Sequence, residues 1–369
     1  MAATSAFAQS SVEIYGIIDQ SVSQTTTTLG FSNNREQKLS QQSTGFQGGL
    51  STQRIGFRGS EDLGGGTRAI FQIESSLSAG DAKDNGFGSR ATFVGLSNAQ
   101  IGTLTLGRQD TPMLKAVIPQ LAGGANNAVG QIMWSGFSVN LDDPTKTPVT
   151  NDGLARIANQ TTIDRAVNFK TATYNGLDAE IQYGKGTNKL SRTGLVTDKD
   201  ATVETGFNIR YAADKWTLNA ANHVRTITDN SAEGDKVKTN YLGSTYDLGY
   251  AKLSLQYATD RLTNAGAHIY KNKGTQFGLQ VPLADKVAAF GSYGKGKRDF
   301  GENDDWKQTS YQLGATYSFS KRTRLYSIYG SQQLKAENVQ AVGALNNGKQ
   351  TQFLVGLNHS FWVASLASH

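Results

Sequence analysis

Residues Ser51 to Ser75, STQRIGFRGSEDLGGGTRAIFQIES, put charge and apolar bulk on opposite faces of two strands joined by a tight turn. The connection Glu61-Asp62-Leu63-Gly64-Gly65-Gly66 has the glycines that a hairpin reversal needs at positive φ, and an acidic pair that stays in water. Along the first strand Thr52, Arg54, Gly56 and Arg58 share one face, while Ile55 and Phe57 share the other. Along the second, Ala69, Phe71 and Ile73 oppose Gln72 and Glu74. Charge falls on what would be the inner face of a closed sheet and apolar bulk on its outer face. That arrangement inverts a soluble protein. It fits a membrane β-barrel with a wet lumen.

Composition agrees. Only 37% of the 369 residues are apolar and mean hydropathy is −0.42, which is low for a core of that size. No run approaches the ~18 apolar residues of a transmembrane helix. Membrane insertion therefore falls to strands, whose lipid face needs apolar residues only at every second position. Cysteine is absent, which excludes a disulfide scaffold and thiol chemistry and suits export through an oxidising compartment. The net charge of +6 comes from 36 scattered basic residues without a Lys/Arg block, so nucleic acid is not an expected partner. The first residues lack the basic and apolar parts of a signal peptide. Ala6-Phe7-Ala8 before Gln9 does match its small-x-small end, so 1–8 are expected to be residual leader, with Gln9 the mature start, or else a disordered N-terminus.

The same grammar repeats along the chain. After an opening strand from Val12 and the hairpin above come Ser89–Ser97 and Gly102–Gln109, then Asp164–Thr173 with Leu177–Gly184. Val203–Tyr211 precedes Lys215–Arg225, and Val237–Tyr246 precedes Ala251–Thr259. Thr275–Val281 precedes Val287–Gly294, Gln308–Phe319 precedes Thr323–Ser331, and Thr351–Phe361 closes the set. The expectation is an all-β, 16-stranded antiparallel transmembrane barrel. Short turns gather at one end, and long polar loops at the other (Asn34–Gly49, Lys185–Asp200, Thr228–Asp235, Lys295–Trp306, Lys335–Lys349). The connection from Asp110 to about Thr162 differs. It contains Met113, Leu114, Ile118, Met133, Trp134 and Phe137, costly to leave in water, so it is expected to fold inward against the barrel wall.

Several motifs, taken in order, resemble the Gram-negative trimeric general porins, especially those of the neisserial and Comamonas/Burkholderia kind. They are VEIYGIID (12–19), STQRIGFRGSEDLGGG (51–66), RATFVGLSN with IGTLTLGRQDTP (90–112), DRAVNF (164–169), SKRTRLY (320–326) and VGLNHSF (355–361). The resemblance implies a 16-stranded outer-membrane barrel spanning residues 9–361, a homotrimer, a third long loop (about 110–162) folded into the pore, and passive diffusion of small ions and hydrophilic solutes. The family's terminal strand ends on a phenylalanine. Here Phe361 is followed by Trp362–His369, expected to be an extension.

By the same resemblance a basic cluster at the constriction falls on Arg54, Arg90 and Arg165, with Glu74 as acidic neighbour. The polar-face phase of Arg54 and Glu74 supports both. Arg165 shares the phase of Val167 and Phe169, so a bulge has to be assumed for it to face the lumen. Arg108, at the root of the long loop, is a further candidate. Leu104 and Leu106 give Arg108 outward phase unless Gly107 breaks the strand, and a structural tie for the loop is an equal reading. Asp110 and the loop acids Asp142, Asp143 and Asp152 would offset the arginines if they reach the lumen. Tyrosines and Trp216 at strand ends read as interface anchors. Lys185, Lys271 and Lys273 could meet lipopolysaccharide phosphates. The four histidines lack metal-ligand spacing, and neither a catalytic motif nor a cofactor fingerprint is present. A weakly to moderately anion-preferring pore is the expectation. A soluble all-β binding protein and an outer-membrane barrel hydrolase remain as alternatives.

Overall fold

A computed structural model describes residues 11–47, 49–77, 86–134, 161–187, 201–228, 235–299, 305–337 and 345–364. These residues form β1 (Ser11–Phe31), β2 (Glu36–Gln47), β3 (Arg54–Gly64), β4 (Thr67–Ser76), β5 (Thr92–Asn98) and β6 (Gly102–Asp110). A short helix α1 (Pro112–Val117) and a 3-10 turn (Ile118–Gln120) follow, then β7 (Thr162–Thr171), β8 (Leu177–Thr187), β9 (Ala201–Ala213), β10 (Trp216–Thr228) and β11 (Asp235–Asp247). The chain ends with β12 (Lys252–Asn264), β13 (Ala267–Ala284), β14 (Val287–Asp299), β15 (Asp305–Ser318), β16 (Thr323–Ala336) and β17 (Leu345–Ala364). All ladders are antiparallel, and β17 returns to pair with β1, from Glu13 opposite Ala364 to Phe31 opposite Leu345. The sheet is closed.

The 17 segments make 16 staves, because β2 and β3 lie end to end beside β1. Gln20–Gly30 of β1 pairs with β2, and Ser11–Ile17 pairs with β3. The expected loop Asn34–Gly49 is therefore mostly strand, a correction to the sequence reading. Its Ser, Thr and Gln residues lack an apolar alternation because this part of the stave is not in the apolar band, and the upper half of β1 satisfies its backbone. Between β2 and β3 the chain leaves the ladder, and Asp19 of β1 fills the gap. Its carboxylate accepts from Ser51 N (2.8 Å), Asn358 Nδ2 (2.7 Å) and the Tyr326 hydroxyl, tying the break to β16 and β17. At the other end of the chain, β17 continues past Phe361 to Ala364.

The two faces differ as the hairpin foretold. Leu104 and Leu106, Phe207 and Ile209, Leu255 and Tyr257, Phe277 and Leu279, and Phe353, Val355 and Leu357 are exposed and point outward. Their alternate neighbours Thr105, Asn208, Ser254, Gln256, Gln276 and Gln352 are buried and point inward. Exposed aromatic residues flank the apolar band: Tyr174, Trp216 and Tyr250 at the short-turn end, and Tyr257, Tyr293, Tyr311 and Tyr329 at the other.

The described start of the long connection lies inside the barrel. Thr111 caps α1 through its hydroxyl, which accepts from Leu114 N (3.0 Å). Met113, Ala116, Val117, Leu121, Ile132 and Met133 pack with inward-facing Ala221, Tyr241 and Ala258 of β10 to β12. Ala122 and Ala128 pack with Phe290, Tyr326, Ile328 and Leu354 of β14, β16 and β17. Wall amides satisfy the segment's backbone. Gln256 Nε2 donates to Gln120 O (3.1 Å), Gln312 Nε2 donates to Val129 O (3.0 Å), and Gln352 Oε1 accepts from Val129 N (3.1 Å). Gly330 is required beneath Val129, since a Cβ there would be 1.7 Å from the Val129 carbonyl oxygen. The expected loop's remainder, 135–160, including Phe137, Asp142, Asp143 and Asp152, lies outside the described residues.

Candidate pore-lining site

Registry across three staves assembles the first cluster. Tyr15 of β1 is opposite Gly56 of β3, which is opposite Glu74 of β4. Glycine at 56 leaves the space that the Tyr15 ring fills, because an added Cβ would be 2.3 Å from Tyr15 Cζ. The ring can then cross β3 and donate its hydroxyl to Glu74 Oε2 (2.9 Å). Arg54 starts β3 and stands beside the same carboxylate, Nη1 to Oε1 3.6 Å, with Nε held by the Thr52 carbonyl (3.1 Å). Arg90 enters from the β4–β5 connection, which folds back so that Glu74 N donates to Ala91 O (3.0 Å) and Arg90 N to Glu74 O (2.9 Å). Its Nε also pairs with Glu74 Oε1. Asp110 completes the group, within electrostatic reach of Arg54 and Arg90.

The other two candidates lie elsewhere. Arg108 keeps the outward phase of Leu104 and Leu106. It donates to Ser89 O (3.0 Å) and Thr162 Oγ1 (3.0 Å) and pairs with Asp164, so it ties the two roots of the long connection together. A bulge does occur opposite it, where the register shifts between Gly107 and Gln109 and Arg165 adopts φ 49°. Arg165 nevertheless remains exposed beside outward Val167 and does not join Arg54 and Arg90.

Further ion pairs line the inward face, and none was singled out from sequence. Lys115 of α1 pairs with Glu180, Lys170 and Arg210 pair with Asp178, and Arg225 pairs with Glu204, which also meets His223 Nε2 at 3.0 Å. The phase of β7 to β10 carries the signal, since Asp178 and Glu180 alternate with Ile181-phase residues. What the sequence does not show is which strands adjoin at which height. One regularity covers these pairs and the Arg54–Glu74–Arg90 cluster. The carboxylates Glu74, Asp178, Glu180 and Glu204 are 2–8% exposed, whereas the Lys and Arg partners are 23–44% exposed. The acids are set into the wall and the cations stand between them and the lumen water. Among the described residues no group of three His, Asp or Glu could hold a metal ion.

A closed sheet of 16 staves with an apolar exterior, aromatic flanks and an ionic, amide-rich interior is a membrane channel barrel, wide enough for a water-filled bore. The chain belongs to the Gram-negative porin family, whose model matches residues 1–337. An outer membrane porin protein of Bordetella pertussis is 27% identical, covering 97% of this chain and 96% of its own length. Outer membrane porin protein 32 of Delftia acidovorans is also 27% identical, with 98% and 97% covered. Among solved structures, an anion-selective porin from Comamonas acidovorans superposes with a TM-score of 0.67 at 22% identity, covering 96% of this chain and all 100% of that one. The trimer form of an outer membrane protein of Vibrio cholerae, OmpT, gives 0.63 at 14% identity. The protein resides in a Gram-negative outer membrane and works as a passive channel, not as an enzyme.

Proposed function

We propose that this porin passes small hydrophilic solutes with a weak to moderate preference for anions. The exposure asymmetry of the lumen ion pairs carries this reading. Formal charge at the Arg54, Arg90, Glu74 and Asp110 group sums to zero, so counting charges predicts no bias. The guanidinium groups stand nearer the water than Glu74 does, however, and a permeating ion meets them first in a channel whose low-dielectric walls weaken screening. Lys115, Lys170, Arg210 and Arg225 repeat the arrangement around the wall. Reversal potentials across a salt gradient test it, for the parent and for Arg54→Ala with Arg90→Ala. The expected outcome is anion preference in the parent and a shift toward cations in the double variant. Cation preference in the parent would remove the arginine mechanism and leave the pore.

The long connection 110–162 is proposed to form the constriction, supported by the inward seat of residues 111–134. Cysteines at Asn126 and Asn127 test it. Labelling by large reagents that cannot enter the pore would contradict an inward position. A homotrimer is supported by the trimeric neighbour and by the apolar outer face, and mass measurement in mild detergent decides it. Lipopolysaccharide is proposed as the lipid partner at the long-loop end, supported by exposed lysines such as Lys271 and Lys273.

A further inference from the structure

The outward faces of β11 to β16 bear a row of cations at the long-loop end. Lys238 of β11 is opposite Arg261 of β12, and Arg261 is opposite Lys271 of β13. Two residues nearer the apolar band, Lys273 of β13 is opposite Lys297 of β14, which faces Lys307 of β15, which faces Lys335 of β16. Side chains so opposed have Cβ atoms ~5 Å apart, and like charges there weaken the sheet. Five such pairs follow one another. Among the described residues the acids on this face are three at the rim: Asp305 pairs with Lys297, Glu337 pairs with Lys307, and Asp299 is opposite Lys271. Seven cations against three acids leave a net positive arc.

Its depth is set by the aromatic residues on the same face. Arg261 is four residues beyond Tyr257, Lys273 four beyond Phe277, Lys297 four beyond Tyr293 and Lys307 four beyond Tyr311. At ~3.3 Å per residue and ~40° of strand tilt the row is about 10 Å outside the aromatic belt. Between them Thr259, Thr275 and Thr309 present hydroxyls on the outward side, and β14 adds Lys295, whose ammonium lies 5.7 Å from the Tyr293 ring centroid. An apolar band, an aromatic belt, a hydroxyl row and a cation row match, in order, acyl chains, their interface, sugars and phosphates. The row faces lipid rather than lumen, so solutes crossing the pore do not meet it.

We propose that this arc binds the phosphate groups of lipid A in the outer leaflet, each phosphate bridging cations of adjacent strands and relieving their repulsion. The proposal rests on the lipopolysaccharide reading above and gives it a site and a chemical group. The experiment uses the full-length protein in detergent and in planar bilayers. Binding of diphosphoryl lipid A, dephosphorylated lipid A and inorganic phosphate is measured for the parent and for a variant combining Arg261→Gln, Lys271→Gln, Lys273→Gln and Lys335→Gln. Diphosphoryl lipid A should bind the parent at least about tenfold more tightly than the variant, with affinity falling as salt rises. Dephosphorylated lipid should not distinguish the two proteins. Equal binding of diphosphoryl lipid A to both would overturn the site, and submillimolar inorganic phosphate that displaces the lipid would overturn the assignment to a lipid. The pair Lys271→Gln and Lys273→Gln should give an intermediate loss, which provides a second measurement if the fourfold variant assembles poorly. Conductance steps should be equal in all three proteins. Their absence from every one would count against the pore reading and leave the lipid result standing on its own.

Discussion

Glu74 shows how one side chain sets the field around it. It is buried beneath Arg54 and Arg90 and held by the Tyr15 hydroxyl, so its negative charge is compensated within the wall. Glu74→Gln keeps the shape and removes the charge. Two guanidinium groups then lose their counterion, and the lumen field gains one unit of positive charge. Anion preference should rise, read as a larger reversal potential, while stability should fall by roughly 1.5–3 kcal/mol, read by denaturant unfolding in detergent. A smaller reversal potential in that variant would show that Glu74 does not oppose the arginines. The inward faces of Arg54 and Glu74 were legible in the sequence because period-two alternation assigns a face, whereas their grouping was not. Tyr15 was not, because its part depends on β1 lying beside β3, a pairing between residues about 40 positions apart that no local pattern encodes.

At the scale of the elements, two joints hold the barrel's interior in place. One is Asp19, which fills the break between β2 and β3 with three donors from three places in the chain. Asp19→Ala leaves Asn358 and Tyr326 without their buried acceptor and frees the 49–53 segment, so a loss of about 3 kcal/mol is expected in denaturant titration. Unchanged unfolding would mean that water replaces the carboxylate without cost. The other joint is the seat of residues 111–134, where wall glutamines bond the backbone and Gly330 admits Val129. Gly330→Ala should lift that segment off β16. Single-channel traces should then show larger current noise or an altered conductance, whereas traces like the parent's would show that the segment tolerates the displacement. The sixteen strands were legible wherever lipid imposes alternation. β2 carries no such signal because water on the outside of a strand imposes none, and its hydrogen-bonding partner, the upper half of β1, is equally polar.

For the whole molecule the decisive quantity is how charge is layered. The chain is +6 overall, yet in the lumen ion pairs named above charge nearly balances, and what distinguishes the partners is depth: acids in the wall, cations toward the water. Sequence order fixes neither depth nor height: Arg165 is at a bulge with φ 49° and is exposed, which no local pattern announces. A selectivity built on depth has two signatures. The first is its response to ionic strength. Screening over ~10 Å at 0.1 M contracts to ~3 Å at 1 M, so the cations cease to bias the bore at high salt and the anion-to-cation permeability ratio should fall toward that of bulk diffusion. The second is its response to pH. Arginine remains ionised throughout the accessible range, and Arg54, Arg90, Arg210 and Arg225 account for most of the water-facing lumen cations, so the ratio should be flat from about pH 6 to 9. Reversal potentials over a matrix of salt and pH measure both. A ratio that holds at 1 M salt would place selectivity in a bound-ion site rather than a screened field. A ratio that swings near neutral pH would show that groups other than the arginines control it.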